Sequence, residues 1–146
     1  MGLNFNLEVC KSIHVKASPA RVWEVLTTPS IIKEYLYGTE TITDWKVGSP
    51  IVFQGEYEGV TYRDHGVILE NILNQKLIYS YWSSFSGTEN IPENHSEVGY
   101  LLTEQEDQTT MLTWLQKGYV NEEKRAHSEN GMNDFLEQLK KIIESN

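Results

Sequence analysis

The chain has 146 residues, 39% of them hydrophobic and 23% charged, a balance that suits one globular domain of residues 1–146 and argues against disorder. A formal charge of −9, from 12 basic and 21 acidic residues without a basic cluster, argues against binding to nucleic acid or to anionic membranes. No apolar run approaches the ~20 residues of a membrane span, no signal-peptide pattern opens the chain, and the single Cys10 has no disulfide partner, so the expected location is cytoplasmic.

The first segment, Leu7 to Val15, places Leu7, Val9, Lys11, Ile13 and Val15 at period two, the mark of a strand with one buried face; His14 falls on the opposite face. Ser18-Pro19 then suits a helix start, with Ser18 as the cap and Pro19 at the first helical position. Val22, Trp23, Val25 and Leu26 follow at helical spacing, Thr28-Pro29 interrupts, and Ile31, Ile32, Tyr35 and Leu36 predict a second short helix. Six strands come next: Ile42–Trp45, Ile51–Glu56, Tyr62–Ile72, Leu77–Ser83, Glu97–Thr103 and Met111–Lys117. Turn chemistry separates them, as at Val47-Gly48-Ser49-Pro50 and Glu58-Gly59, and so regular a meander predicts antiparallel pairing. From Asn121 to Ser145 the period is helical again, with Met132, Phe135, Leu136, Leu139, Ile142 and Ile143 on one stripe. The expected fold is α+β: a bent antiparallel sheet of six or seven strands whose concave side is filled by this last helix.

Strand parity then gives the inward rows. Leu112, Trp114 and Gln116 form one, Val98, Tyr100 and Leu102 a second, Leu77, Tyr79 and Tyr81 a third, Ile51 and Phe53 a fourth. His65 is a candidate whose face depends on a bulge between Arg63 and Leu69. The chain holds 8 Tyr, 4 Trp and 4 Phe, and several fall on these rows. A buried Tyr pairs an apolar ring with a hydroxyl that seeks a partner, so such an inner face suits a mostly apolar ligand with a few polar groups; the plainer reading is that the rings fill a core. The candidate binding residues are Phe53, His65, Tyr79, Tyr81, Tyr100, Trp114, Gln116, Met132, Phe135, Leu136 and Leu139. No HExxH, CxxC or GxSxG motif and no glycine-rich phosphate loop is present, so neither metal nor cofactor is expected. None of the inward rows carries Asp or Glu, and catalysis has no candidate residue.

Several stretches together resemble the activator-of-heat-shock-protein-90-ATPase (Aha-type) family of the START-like, Bet v-like superfamily. They are Ala17-Ser18-Pro19-Ala20-Arg21-Val22-Trp23-Glu24-Val25-Leu26, the turn Asp44-Trp45-Lys46-Val47-Gly48, the pair Gly66-Val67-Ile68-Leu69-Glu70 and Lys76-Leu77-Ile78-Tyr79-Ser80-Tyr81, and Thr110 to Tyr119 before the long helix. The family usually has Trp where Tyr35 and Met132 stand, and often His at Gln116. The resemblance implies a helix-grip fold with a cavity for a small hydrophobic molecule such as a lipid, a sterol-like or a polyketide-like compound. It also implies two alternatives: a co-chaperone that stimulates heat-shock protein 90, or a cyclase- or hydrolase-type enzyme.

Overall fold

The computed structural model of the chain describes residues 2–145. These form β1 (Asn4–Val15), α1 (Pro19–Thr27), α2 (Pro29–Tyr35), β2 (Glu40–Ile42), β3 (Pro50–Tyr57), β4 (Val60–Ile72), β5 (Lys76–Tyr81), β6 (Ser96–Glu104), β7 (Thr110–Tyr119) and α3 (Glu122–Glu144). The seven strands make one antiparallel sheet in the order β1-β7-β6-β5-β4-β3-β2, so every neighbour but β1–β7 is also a neighbour in sequence.

Local chemistry sets the helix boundaries. The Ser18 hydroxyl accepts from the Arg21 N–H with Pro19 in the first turn of α1, and Pro29 restarts the chain as α2. Asn121 caps α3 by accepting from the Lys124 N–H at 2.9 Å, with Glu122 and Glu123 in its first turn. The far end of α3 is held from outside: the Arg21 guanidinium donates to the carbonyls of Ile142 and Ile143, both at 3.1 Å, and the Ile142 carbonyl also accepts from the Ser145 hydroxyl at 2.7 Å. Lys140 reaches the His14 carbonyl at 2.7 Å, and Glu144 accepts from the Lys16 N–H. The C-terminal half of α3 is thereby fastened to β1 and α1.

Two expected strand limits are corrected. The segment Ile42–Trp45 is a strand only as far as Ile42, because Thr43 and Asp44 side chains accept from the N–H groups of Trp45 and Lys46 and turn the chain, leaving Trp45 at φ 67°. The fifth strand ends at Tyr81 rather than Ser83; Trp82 makes a lone bridge to His65. The Glu58-Gly59 hairpin has both residues at positive φ, the two-residue turn that matches strand twist.

The main core lies between the sheet and the helices. Val9, Val15, Val22, Val25, Leu77, Leu112, Leu139 and Ile143 are almost wholly buried there. A smaller cluster of Ile51, Phe53 and Ile68 continues it toward β3 and β4. Strand β4 joins the two. Its pairing with β5 shifts by one residue between Ile68 and Glu70, and Gly66 lies so close to β5 that an added Cβ would stand 1.8 Å from the Ser80 carbonyl oxygen.

Candidate functional site: an aromatic cavity under the long helix

The inner rows of the sheet do not meet α3 along its whole length. Beside its middle the sheet and helix part around a cavity of about 500 Å³. Its floor is Phe53 of β3, Tyr79 and Tyr81 of β5, Val98 and Tyr100 of β6, and Trp114 and Gln116 of β7. Met132 and Phe135 of α3 close it from above. Tyr37, Tyr57 and Phe85 stand at its edge, 83%, 62% and 58% exposed, and mark its opening.

Eight of the eleven expected side chains therefore surround one space: Phe53, Tyr79, Tyr81, Tyr100, Trp114, Gln116, Met132 and Phe135. Leu136 and Leu139 do not line it. They lie further along the stripe of α3, buried in the core against β1 and α1. His65 is on the other face of the sheet. The bulge in β4 falls beyond it, between Ile68 and Glu70, so Asp64, Gly66 and Ile68 point inward while the His65 ring lies 6.0 Å from Trp82.

That parity brings in a residue the sequence reading excluded. Asp64 sits opposite Phe53 in the β3–β4 ladder, is 7% exposed and lines the cavity. The expectation that no inward position carries a carboxylate is thus corrected. With the β4 bulge falling after Ile68, strand parity puts Asp64 on the inner face alongside the rows of β3 and β5. The carboxylate is held from three directions: Tyr81 O–H donates to Oδ2 at 2.6 Å, and the Ser84 N–H and O–H donate to Oδ1 at 2.8 and 3.0 Å.

The tyrosine hydroxyls differ in their partners. Tyr35 donates to the Val25 carbonyl at 3.0 Å, whereas no protein partner is found for Tyr79 or Tyr100 among the described residues. Burial raises the pKa of Tyr35, Tyr79, Tyr81 and Tyr100 above the usual tyrosine range, and the Asp64 charge pushes Tyr81 further the same way. All four hydroxyls hold their protons at neutral pH. Gln116 donates one amide N–H to Ser96 Oγ at 3.4 Å and keeps its carbonyl for another partner. Rings surround the space in edge-on and tilted pairs, with Phe53 5.6 Å from Tyr79 and 6.0 Å from Tyr81, and Tyr35 6.0 Å from Phe135. Chemically the site offers apolar walls, spare hydroxyls at depth and one anchored carboxylate near the mouth.

A long C-terminal helix set across an antiparallel sheet, with two short helices after the first strand and an aromatic hollow beneath, is the helix-grip architecture of the SRPBCC proteins. Residues 16–144 match the family described as Activator of Hsp90 ATPase homolog 1-like protein, and the chain belongs to that family. It is similar to the solution structure of ChR145 from Cytophaga hutchinsonii, with 36% identity, a TM-score of 0.83 and coverage of 99% of this chain and 97% of that one. The fold is also that of the Aha1 dimer from Colwellia psychrerythraea, at 20% identity, a TM-score of 0.71 and coverage of 94% and 96%. CalU16 from Micromonospora echinospora shares it at 21% identity and a TM-score of 0.72, over 97% of this chain and 82% of that one. No curated protein matches the chain. Among the described residues no helix is long and apolar enough to cross a membrane.

Proposed function

We propose that the protein binds a small, mostly apolar molecule in the cavity between the sheet and α3. The observation that carries this reading is the lining: ten of the eighteen side chains around the cavity are aromatic, in a space of about 500 Å³ that opens past exposed Tyr37, Tyr57 and Phe85. Pockets for small molecules are typically a few hundred Å³, apolar, and furnished with a few fixed polar groups. A core built only for stability would fill such a space, because a void forfeits dispersion contacts on every wall.

Titration with a library of neutral aromatic and aliphatic compounds, followed by NMR, tests the reading. Saturable shifts are expected at Tyr81, Trp114 and Met132. Shifts confined to exposed residues such as Glu123 or Asp107 would count against it.

A second reading follows from the family description, which concerns activation of a heat-shock protein 90 ATPase. On that reading the chain docks on the chaperone and the cavity is incidental. Purified chaperone whose ATP turnover is unchanged at saturating concentrations of this protein would remove it.

A further inference from the structure

The proposed cavity has a charge character of its own. Its lining includes two carboxylates, Asp64 and Glu56, and no Lys, Arg or His. Its two basic neighbours in sequence lie on the opposite face of β4: Arg63 is exposed and borders a different groove, and the His65 ring lies beside Trp82. Asp64 takes part in none of the ion pairs among the described residues. It is nonetheless almost wholly buried, and buried charges are ordinarily paired.

Three donors hold the carboxylate, two on Oδ1 and one on Oδ2. An ionised carboxylate has about four acceptor positions, so one on Oδ2 stays free beside the Tyr81 oxygen. Tyr81 spends its proton on Asp64, and its oxygen, which the Ser83 hydroxyl also reaches, keeps one lone pair with which it can only accept from a ligand. Asp64 Oδ2 and the Tyr81 oxygen thus each have room for one more donor. Around them stand the rings of Phe53, Tyr79 and Tyr81, whose faces carry the partial negative charge that attracts cations. The net charge of −9 acts in the same sense at longer range.

Resting on the cavity-binding reading above, we infer that the ligand is an apolar or aromatic molecule bearing a cationic amine, with the Asp64 carboxylate as its counter-ion and Tyr81 as second acceptor. The same arrangement disfavours fatty acids and other anionic amphiphiles, whose carboxylate would face Asp64 with no cation of the lining between them.

Three probes of one shape and different charge separate this inference from the reading beneath it: naphthylmethylamine, naphthylmethanol and naphthoic acid, titrated at neutral pH into the full chain by calorimetry with NMR of the Trp114 indole. The ammonium is expected to bind at least about tenfold tighter than the alcohol, with the naphthoate weakest, since a charge-assisted hydrogen bond is added at constant apolar area. In Asp64→Asn the ammonium and alcohol affinities should converge to within about twofold. Alcohol binding equal to or tighter than ammonium binding, or an ammonium preference that survives in Asp64→Asn, overturns the counter-ion assignment and leaves the cavity reading standing. If none of the three probes moves the Trp114 signal, the cavity reading falls and the inference with it. Should Asp64→Asn fail to fold, intermolecular NOEs in the unaltered protein decide instead. The aminomethyl protons are expected against the Tyr81 ring, and finding them against Tyr100 or Trp114 overturns the assignment.

Discussion

The two halves of α3 are built on different plans. Its C-terminal half presents Leu136, Leu139 and Ile143 to Val9, Val15, Val22 and Val25, all close to fully buried, and its end is tied down by Arg21, Lys16 and Lys140. The stretch before Leu136 presents Met132 and Phe135, both half-buried, to a floor of Tyr79, Tyr100 and Trp114 that leaves about 500 Å³ open. Small branched aliphatics interlock and exclude space, whereas large flat rings with polar tips span it. One helix thus serves as a clamp at one end and a roof at the other.

The sharpest way to break this division is to delete matched bulk from each half. Leu139→Ala should cost about 2–5 kcal/mol, because the void it leaves is enclosed on all sides. Phe135→Ala removes a larger side chain, yet it should cost only roughly 1–2 kcal/mol, since it widens a space that already exists and forfeits mainly transfer free energy. Urea denaturation of the two variants measures the difference. Equal losses would mean that the hollow end is packed as firmly as the clamped one.

The clamped end was the more legible in sequence. Period-two Leu7 to Val15 and the stripe from Leu136 to Ile143 are consequences of one face meeting a core, and simple periodicity finds them. The two-helix break followed from Pro29, and the caps from Ser18 and Asn121. The hollow end was legible only in part. Parity found the rows on β3, β5, β6 and β7, but a row says nothing about how far the opposite wall stands. Leu136 and Leu139 share a stripe with Phe135 and were therefore grouped with it, although they pack where the helix is clamped. Parity alone left the face of His65 open, because a one-residue shift in pairing inverts a strand's faces; the shift falls after Ile68, which turns His65 outward and Asp64 inward. Trp45 was lost to side-chain hydrogen bonds that override a strand pattern.

A smaller effect sharpens the comparison at the level of single hydroxyls. Tyr35 bonds the Val25 carbonyl, one of the acceptors left open at the end of α1, so Tyr35→Phe should cost about 1–2 kcal/mol. Tyr79→Phe removes a hydroxyl without a protein partner and should change stability by less than about 0.5 kcal/mol, or stabilise slightly. A substantial loss in Tyr79→Phe would reveal a bond made to something held inside the cavity. The same four tyrosines predict an alkaline limit. Their pKa values are raised in the fold, so the folded state keeps protons that the unfolded chain gives up from about pH 10. Their contribution is complete below that pH and declines as the pH rises beyond it. Urea midpoints measured between about pH 9 and pH 11 should fall, and the fall should shrink in Tyr79→Phe.

The smallest expected effect lies in the loop that borders the mouth. His95 joins Ser80 of β5 at 3.1 Å to Asn90 of the following loop at 2.7 Å, and that loop also carries Ser83 and Phe85 to the edge of the cavity. Partial burial, and then the nearby His65, lower the His95 pKa below its ordinary 6.5. Between the folded and the ordinary value the unfolded chain binds the extra proton, so stability increases with pH there: the contribution is whole above about 6.5 and is lost as the pH falls below it. Protonation also gives both ring nitrogens a hydrogen, which suits the Asn90 carbonyl oxygen but leaves the Ser80 hydroxyl only to accept. Ser80 Oγ also accepts from the Val67 N–H at 3.0 Å, and once His95 is protonated the Ser80 O–H loses the ring nitrogen as its acceptor. Mild acid should therefore loosen the hollow end before the clamped one. Amide exchange corrected for intrinsic rates should quicken in residues 83–94 between about pH 7 and pH 5.5 while Val9 and Leu139 stay protected, and His95→Gln should flatten that dependence. Exchange that quickened equally at Leu139 would show that the two halves open together and that the clamp extends the full length of the helix.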